Sequence, residues 1–473
     1  MPVPTQRRVL TISPMPPEKS AYALARYSRS PDSIRQSIDW VRTHDSQKFL
    51  ESFYFQYGHA SIADLGHVTM CFEGISELAA TEIEDEQLWD GQAKSSRYQD
   101  FSKSGFITPP ELEGNVEYQT AGAQLLQAYE QVHKGVVAYL AEQLPKPESM
   151  KEAAYRRNLA ARSFDVARFL LFFGIPTNVG QVTSIRTLEK QIRRLKSSEY
   201  GELRAIGVEM GEACAAEPDC VWDGPSEPVA PTLAKYTEPD ANFEAAREGL
   251  KLWAAQNLPI SSRVSGTVDL MKPADVAADI VATILYPATD RPFRELYEWA
   301  AATSAAVRNE VIDLALGGRV RRDDLPRSFR GGLYAYDIVM DIGAYRDLHR
   351  HRRCHQFRQT YSAHLGYETP KAIEGAGMTE VYEAAMNQAI GAIHMLPQPA
   401  SQYLLPFGAR SRFLFKMDFA EAEYISRVRS GVKGHFSYRD IAWKMKVAME
   451  ELEPELGRLI EATPPWIEDP LTR

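Results

Sequence analysis

Two stretches of this chain closely resemble each other. Ala167-Arg168-Phe169-Leu170-Leu171-Phe172-Phe173-Gly174 closely resembles Ser401-Gln402-Tyr403-Leu404-Leu405-Pro406-Phe407-Gly408, and an internal repeat constrains architecture more than any local propensity. The order of elements around the octets repeats as well. Each half opens on a β-like run, Val68–Phe72 or Leu333–Val339, passes through a helical stretch into a polar cluster, and is then broken by proline at Pro109-Pro110 or Pro370. An amphipathic helix follows each break. One presents Leu125, Tyr129, Val132, Val136 and Leu140 on a single face, the other Tyr382, Met386, Ile390 and Ile393. Beyond each octet lies a further helix with an arginine at similar distance, Arg194 or Arg429.

The chain is therefore expected to be an α+β protein of two tandem related domains, residues 1–220 and 240–473, joined by a linker over 221–239 that carries Pro225, Pro228, Pro231 and Pro239. Its 473 residues are long for one hydrophobic core. A hydrophobic content of 44% with 25% charged residues and no bilayer-length apolar run reads as a globular protein with no membrane span. No apolar h-region follows the charges of the N-terminus, so the expected location is the cytoplasm. The net charge of −9 argues against general nucleic-acid binding, and any anionic ligand must be held by local arginine clusters.

Such clusters exist. Between Arg346 and Arg358 stand five arginines and three histidines, with Arg350-His351-Arg352-Arg353 at the centre. Guanidinium groups meet phosphate through a planar fork, so this segment is a candidate site for a diphosphate or a flavin edge, against the plainer reading of a solvated helical face. In the first half, Ser95-Ser96-Arg97-Tyr98 is expected to follow a helix and to gather hydroxyls and backbone N–H groups around an anion. Arg168, Arg193, Arg194 and Lys196 add positive charge in that half. His59, Ser61 and Asp64 form a smaller group in Gly58-His59-Ala60-Ser61-Ile62-Ala63-Asp64. Four scattered cysteines, Cys71, Cys214, Cys220 and Cys354, suit neither a disulfide scaffold nor a zinc ribbon. Cys354, flanked by cations, is expected to have a depressed pKa, though as a bystander to the chemistry. Phosphate-loop, zincin and α/β-hydrolase motifs are absent from the sequence, and metal chemistry has no support.

These residues carry a resemblance to the flavin-dependent thymidylate synthases, the ThyX family, whose signature is an Arg-His-Arg triplet running on to a Ser-x-Arg-Tyr end. The first half keeps the end, at Ser95-Ser96-Arg97-Tyr98, and has Asp85, Glu86 and Gln87 where the triplet belongs. The second half keeps the triplet and has His355, Thr360 and Ser362 at the later serine and arginine positions. The resemblance implies two copies of a domain with an antiparallel sheet and packed helices. It implies FAD held by Arg350, His351 and Arg352 together with His59, Ser61 and Asp64. A dUMP-like nucleotide is implied over Ser95, Ser96 and Arg97, its phosphate met by Arg97 and Arg168, with Ser95 and Arg194 in catalytic roles. The implied reaction is reductive methylation of dUMP to dTMP, with methylenetetrahydrofolate as carbon donor and NADPH as reductant, in a homodimer that forms a pseudo-tetramer. A non-catalytic flavin- or nucleotide-binding protein, and C5 modification of another pyrimidine nucleotide, are the alternatives.

Overall fold

The computed structural model describes residues 15–28, 30, 33–51, 60–218, 241–259, 269–321 and 323–471. His59, Cys220 and the proline-rich stretch 221–239 lie outside these residues. The chain is mixed α+β with small antiparallel sheets. Its compact units do not follow the repeat. One comprises Met1–Lys94, Thr108–Glu111 and Pro176–Glu238, and the other Ser95–Ile107, Leu112–Ile175 and Pro239–Arg473.

The first unit holds a three-stranded sheet of β1 (His67–Ser76), β2 (Asp90–Ala93) and β3 (Pro176–Ser184), in the order β1-β3-β2. Both pairings are antiparallel. A bulge between Phe72 and Ile75 shifts the register of β1, and Gly74 takes a φ of 64° there, a value that glycine adopts without a Cβ clash. Ser76 caps the helix Glu77–Ile83 and Ser184 caps the helix Ile185–Lys196. Under the sheet, Trp89 Nε1 donates to Gln181 Oε1 at 2.7 Å, and Gln181 and Gln191 exchange hydrogen bonds at 2.9 and 3.0 Å. These buried amides therefore lose nothing for want of partners.

The second unit repeats that plan. Strands β4 (Tyr334–Asp341), β5 (His355–Arg358) and β6 (Arg410–Met417) pair antiparallel in the order β4-β6-β5. Phe413, Phe415 and Met417 are buried on one face of β6 while Arg412 is exposed, the period of two that a half-buried strand requires. Tyr345 stacks on Phe413 with ring centroids 4.0 Å apart. The capping residue Asp341 stands where Ser76 does, each the last residue of its strand and the N-cap of a seven-residue helix. Asp85, Glu86 and Gln87 thus occupy the places of Arg350, His351 and Arg352, between that helix and the short third strand of each sheet.

The octets lie together in this second unit. They are not strands but short 3-10 turns, and their backbones interlock. Phe173 N–H donates to the Leu405 carbonyl at 3.2 Å and Gly174 N–H to Tyr403 at 2.7 Å. In return, Phe407 N–H donates to Leu171 at 2.7 Å and Gly408 N–H to Phe169 at 2.9 Å. Leu171, Phe172, Phe173, Leu404, Leu405 and Phe407 are all fully buried. At roughly 1.5–3 kcal/mol for each large apolar side chain buried, this pairing is the centre of the unit's core. The helices Val116–Gln143, Glu152–Ala167 and Thr379–Met395 pack around it. Leu125, Tyr129, Val132 and Val136 are buried on the first of these and Tyr382, Met386 and Ile393 on the third, as their spacing leads one to expect, while Leu140 and Ile390 are half-buried.

Candidate functional site

Ser95-Ser96-Arg97 leaves the end of β2, so the segment follows a strand and not the helix expected from its sequence. Ser96 and Arg97 are buried, with Ser95 half-buried beside them. Arg97 is clamped by Asp165, with Nε on Oδ1 at 2.8 Å and Nη2 on Oδ2 at 3.1 Å. It also donates to the Tyr438 hydroxyl at 2.9 Å and to the Lys433 carbonyl at 3.1 Å. Burial alone lowers the guanidinium's pKa, but the hydrogen bond and charge of Asp165 outweigh it and raise the value.

Arg168, at the start of the first octet, is 1% exposed. Its Nη1 lies 2.9 Å from Asp347 Oδ2. Its Nε and Nη2 have no hydrogen-bond partner among the described residues. Burial pushes the Asp347 carboxyl up, yet the guanidiniums of Arg168, Arg97 and Arg429 prevail and hold it at about 2. His435 is fully buried and is kept neutral by burial and by Arg168 and Arg97, with Nε2 2.8 Å from the Asp165 carbonyl.

Asp341 completes this cluster. Burial drives its carboxyl to about 6, against the opposing hydrogen bond from Ser437 and the charge of Arg168. Because the folded value lies above the ordinary carboxyl value of 3.8, its contribution to stability is present below about pH 4 and lost as pH rises through 6. Asp341→Asn keeps the helix cap and removes the titration, so it should gain up to about 3 kcal/mol relative to the parent between pH 4 and pH 8. Urea unfolding at the two pH values checks this. An identical difference between the proteins at both would contradict it.

A second group of arginines lines a cleft of about 330 Å³. Arg330, Arg350, Arg352, Arg353 and Arg429 face it, against the carboxylates of Asp324 and Glu421. His351 is 6% exposed at its wall. Arg429 Nε donates to His351 Nε2 at 2.7 Å, which leaves the ring proton on Nδ1, facing Glu421 Oε1 at 3.5 Å. Burial holds this imidazole below its usual pKa, Glu421 opposes that, and Arg429 reinforces it. Among the lining side chains five guanidiniums outnumber two carboxylates, and one of the five, Arg330, pairs with Asp418 at 3.2 Å. Tyr438 links the two groups, since Arg97 and Arg429 each lie 5.7 Å from its ring centroid. Arg346 reaches Ser96 Oγ at 3.4 Å.

Other expected site residues stand apart from these. Ser61 is exposed in the first unit, and Asp64 accepts from Arg186 at 2.9 Å and Ser184 at 3.3 Å. Arg194, also in the first unit, donates to the Glu82 carbonyl at 2.7 Å and pairs with Glu86 at 3.0 Å. It is not the positional equal of Arg429. Counted from the helix caps Ser184 and Asp418, Arg194 is the tenth residue and Arg429 the eleventh, so the buried Leu195 is the match. One residue turns a helical side chain by about 100°.

Cys354 is a further correction. Burial raises its thiol well above the ordinary value, and the charge of Glu421 adds to this, so the neighbouring cations do not activate it. Iodoacetamide at pH 8 should label the exposed Cys71 and leave Cys354 unmodified until the protein is unfolded, as peptide mass spectrometry would read directly. Asp165, Asp347, His435 and Tyr438 were not singled out in the sequence. Asp347 sits inside the Arg346–Arg358 cluster and Asp165 just before the first octet, but no local pattern says which distant arginine either one pairs with.

No group of three or more His, Cys, Asp or Glu able to hold a metal ion is present among the described residues. None of their helices is long and apolar enough to cross a membrane. The fold and site define a class: a duplicated α+β chain with an arginine-lined cleft and a buried ion-pair cluster. The chain belongs to the family described as thymidylate synthase complementing protein, whose family model matches residues 10–217 and 293–455, one stretch in each half. It is 26% identical over 417 residues to a UPF0159 protein of Chlamydia pneumoniae, covering 84% of this chain and 76% of that one. It is also 26% identical over 445 residues to a UPF0159 protein of Chlamydia muridarum, covering 89% and 80%. A UPF0159 protein of Thermoplasma acidophilum is 22% identical over 480 residues, covering 93% and 94%.

Proposed function

We propose that this protein is a flavin-dependent, thymidylate-synthase-like enzyme that methylates C5 of a uracil ring, the chemistry that converts dUMP to dTMP. The observation that carries this reading is the cleft in which five arginines surround the buried His351. Its charge fits the anionic part of FAD, and its volume of about 330 Å³ suits a portion of a dinucleotide. Arg350 and Arg352 would hold phosphate or the electron-rich flavin edge, and His351 would position Arg429 through the bond at Nε2. FAD, when bound, supplies hydride transfer, with NADPH as reductant and methylenetetrahydrofolate as carbon donor. Arg429 is the group best placed to stabilise negative charge developing on a ring that enters the cleft. Ser95 and Ser96 offer hydroxyls to the same ligand from the neighbouring segment. The part played by His59, Ser61, Asp64 and Arg194 is tested by their own alanine variants. We also propose assembly as a homodimer that forms a pseudo-tetramer.

The test is whether the purified protein is yellow, and whether its reduced flavin reoxidises when a uracil compound and methylenetetrahydrofolate are added together. A colourless protein that takes up no added FAD defeats the reading. Flavin uptake without substrate-dependent reoxidation favours a flavin-binding protein without turnover. The internal pairing of Arg97 and Arg168 supports that second reading.

A further inference from the structure

His351 brings a titratable ring into contact with a group that does not titrate. A guanidinium Nε–H is a permanent donor, so the bond from Arg429 Nε to His351 Nε2 at 2.7 Å exists only while that ring nitrogen keeps its lone pair. A proton added to the ring goes to Nε2, because Nδ1 already holds one and faces Glu421 Oε1 at 3.5 Å. Two donors then point at each other across a hydrogen-bond distance, and Arg429 has to move away.

The separated donors suit a ligand. His351 and Arg429 both line the cleft, and an anion oxygen set between them accepts from Nε2–H and Nε–H at once, each bond charge-assisted. The other groups around the ring decide what its proton costs. Arg350, Arg352 and Arg353 are cations of its own segment, and Cys354, whose N–H donates to the His351 carbonyl, has a thiol that burial keeps protonated. The helix Phe419–Arg429 supplies Arg429, the opposing carboxylate of Glu421, and the Tyr424 ring edge-on at 5.6 Å. Asp324 and Arg330 face the cleft from the segment before β4, and they pair with Arg427 and Asp418, each at 3.2 Å. Tyr438 lies against Arg429, 5.7 Å from guanidinium to ring centroid. Burial first, and Arg429 after it, hold the imidazole below its usual pKa against the pull of Glu421.

We infer that His351 is a proton-operated latch on Arg429: the neutral ring holds the guanidinium to the wall of the cleft, and an entering anion, taking up a proton from solvent, draws Arg429 onto itself. The inference rests on the part of the functional reading that puts an anion in this cleft, and adds how its entry is regulated. Linkage fixes the sign. The anion stabilises the charged ring, so affinity is highest where the ring is protonated before binding and falls as pH rises through the range in which only the liganded ring holds its proton.

Sulfate is the probe, because it stays doubly charged across this range and brings no titration of its own. Calorimetry on the full chain should show sulfate binding about tenfold weaker at pH 8 than at pH 6, and heats in buffers of different ionisation enthalpy should show a fraction of a proton taken up with each ion. His351→Gln, whose amide still accepts from Arg429 but does not titrate, should bind sulfate equally at both pH values. If that variant misfolds, Glu421→Gln takes its place: it keeps an acceptor for Nδ1–H and removes the charge that raises the ring's pKa, so the fall in affinity moves to lower pH. Flat affinity in the parent, no sulfate binding at either pH, or a pH dependence that survives His351→Gln overturns the inference. FAD uptake, measured separately, decides the functional reading. A protein that takes up FAD and shows flat sulfate affinity keeps the reading and loses the latch. One that takes up no FAD, yet binds sulfate with a pH profile that depends on His351, loses the reading and keeps the latch.

Discussion

Replacing Arg350 and Arg352 together by alanine should weaken FAD binding at least a hundredfold while leaving the melting temperature within a few degrees of the parent. Each charge-assisted hydrogen bond to an anion contributes about 1.5–3 kcal/mol, so two give roughly 3–6 kcal/mol, or a factor of about 10² to 10⁴ in Kd. The fold should tolerate the change. Both side chains are only half-buried, and neither belongs to the core built on the octets and on β6. Quenching of flavin fluorescence measures the affinity, and circular dichroism follows the melt. An unchanged Kd with an intact fold would remove the cleft from consideration as the flavin site. The corresponding first-half change, Asp85→Ala with Gln87→Ala, should not alter FAD affinity, because that segment brings no positive charge.

The largest effect on stability is expected from Asp165→Ala. The variant leaves the Arg97 guanidinium buried, with its bidentate partner gone and its desolvation uncompensated. Breaking a buried pair from one side costs about 3–5 kcal/mol. Removing both charges with apolar residues of similar size, as in Arg97→Met with Asp165→Leu, should recover most of that loss. The exposed pair Lys134–Glu130 serves as the reference, and its disruption should cost no more than about 0.5 kcal/mol. Denaturant midpoints of the four proteins decide it. A single variant no less stable than the reference, or a double variant as unstable as the single one, would mean that Asp165 does not neutralise Arg97 in the folded chain.

The fold was largely legible in the sequence because its signals are local and periodic. The alternation in Val68–Phe72 and Leu333–Val339 marks strands, the spacing of Leu125, Tyr129, Val132 and Val136 marks a helix face, and the repeated octet marks duplication. What could not be read is how the repeats engage each other. Nothing in either octet says that its partner is the other octet, or that Ser95–Ile107 joins the compact unit of the second half. The site divides along the same line. Arg97, Arg168 and the Arg350–Arg352 segment were visible in the sequence, whereas the pairing of Arg97 and Arg168 with their carboxylates was not. Asp165 lies 68 residues from Arg97, and Asp347 lies 179 from Arg168. The pairing of Arg194 with Arg429 failed for a subtler reason. The two arginines stand 27 residues after Ala167 and 28 after Ser401, and that single residue is enough to turn a helical side chain to another face. With Cys354 the cationic neighbours were plain in the sequence, but desolvation, which depends on burial, outweighed them.

The interlocked octets have a consequence for how such a chain responds to dilution. Were the two copies separate molecules, each of the four reciprocal hydrogen bonds would be a bond between subunits, and the core around them would come apart as concentration fell. Tethering both partners in one polypeptide fixes their effective concentration, on the order of millimolar for a flexible connection, whatever the abundance of the protein. Assembly of this core is then first-order. Each copy is also released from having to be complete, because a residue lost from one half can persist in the other without ever depending on a chance encounter.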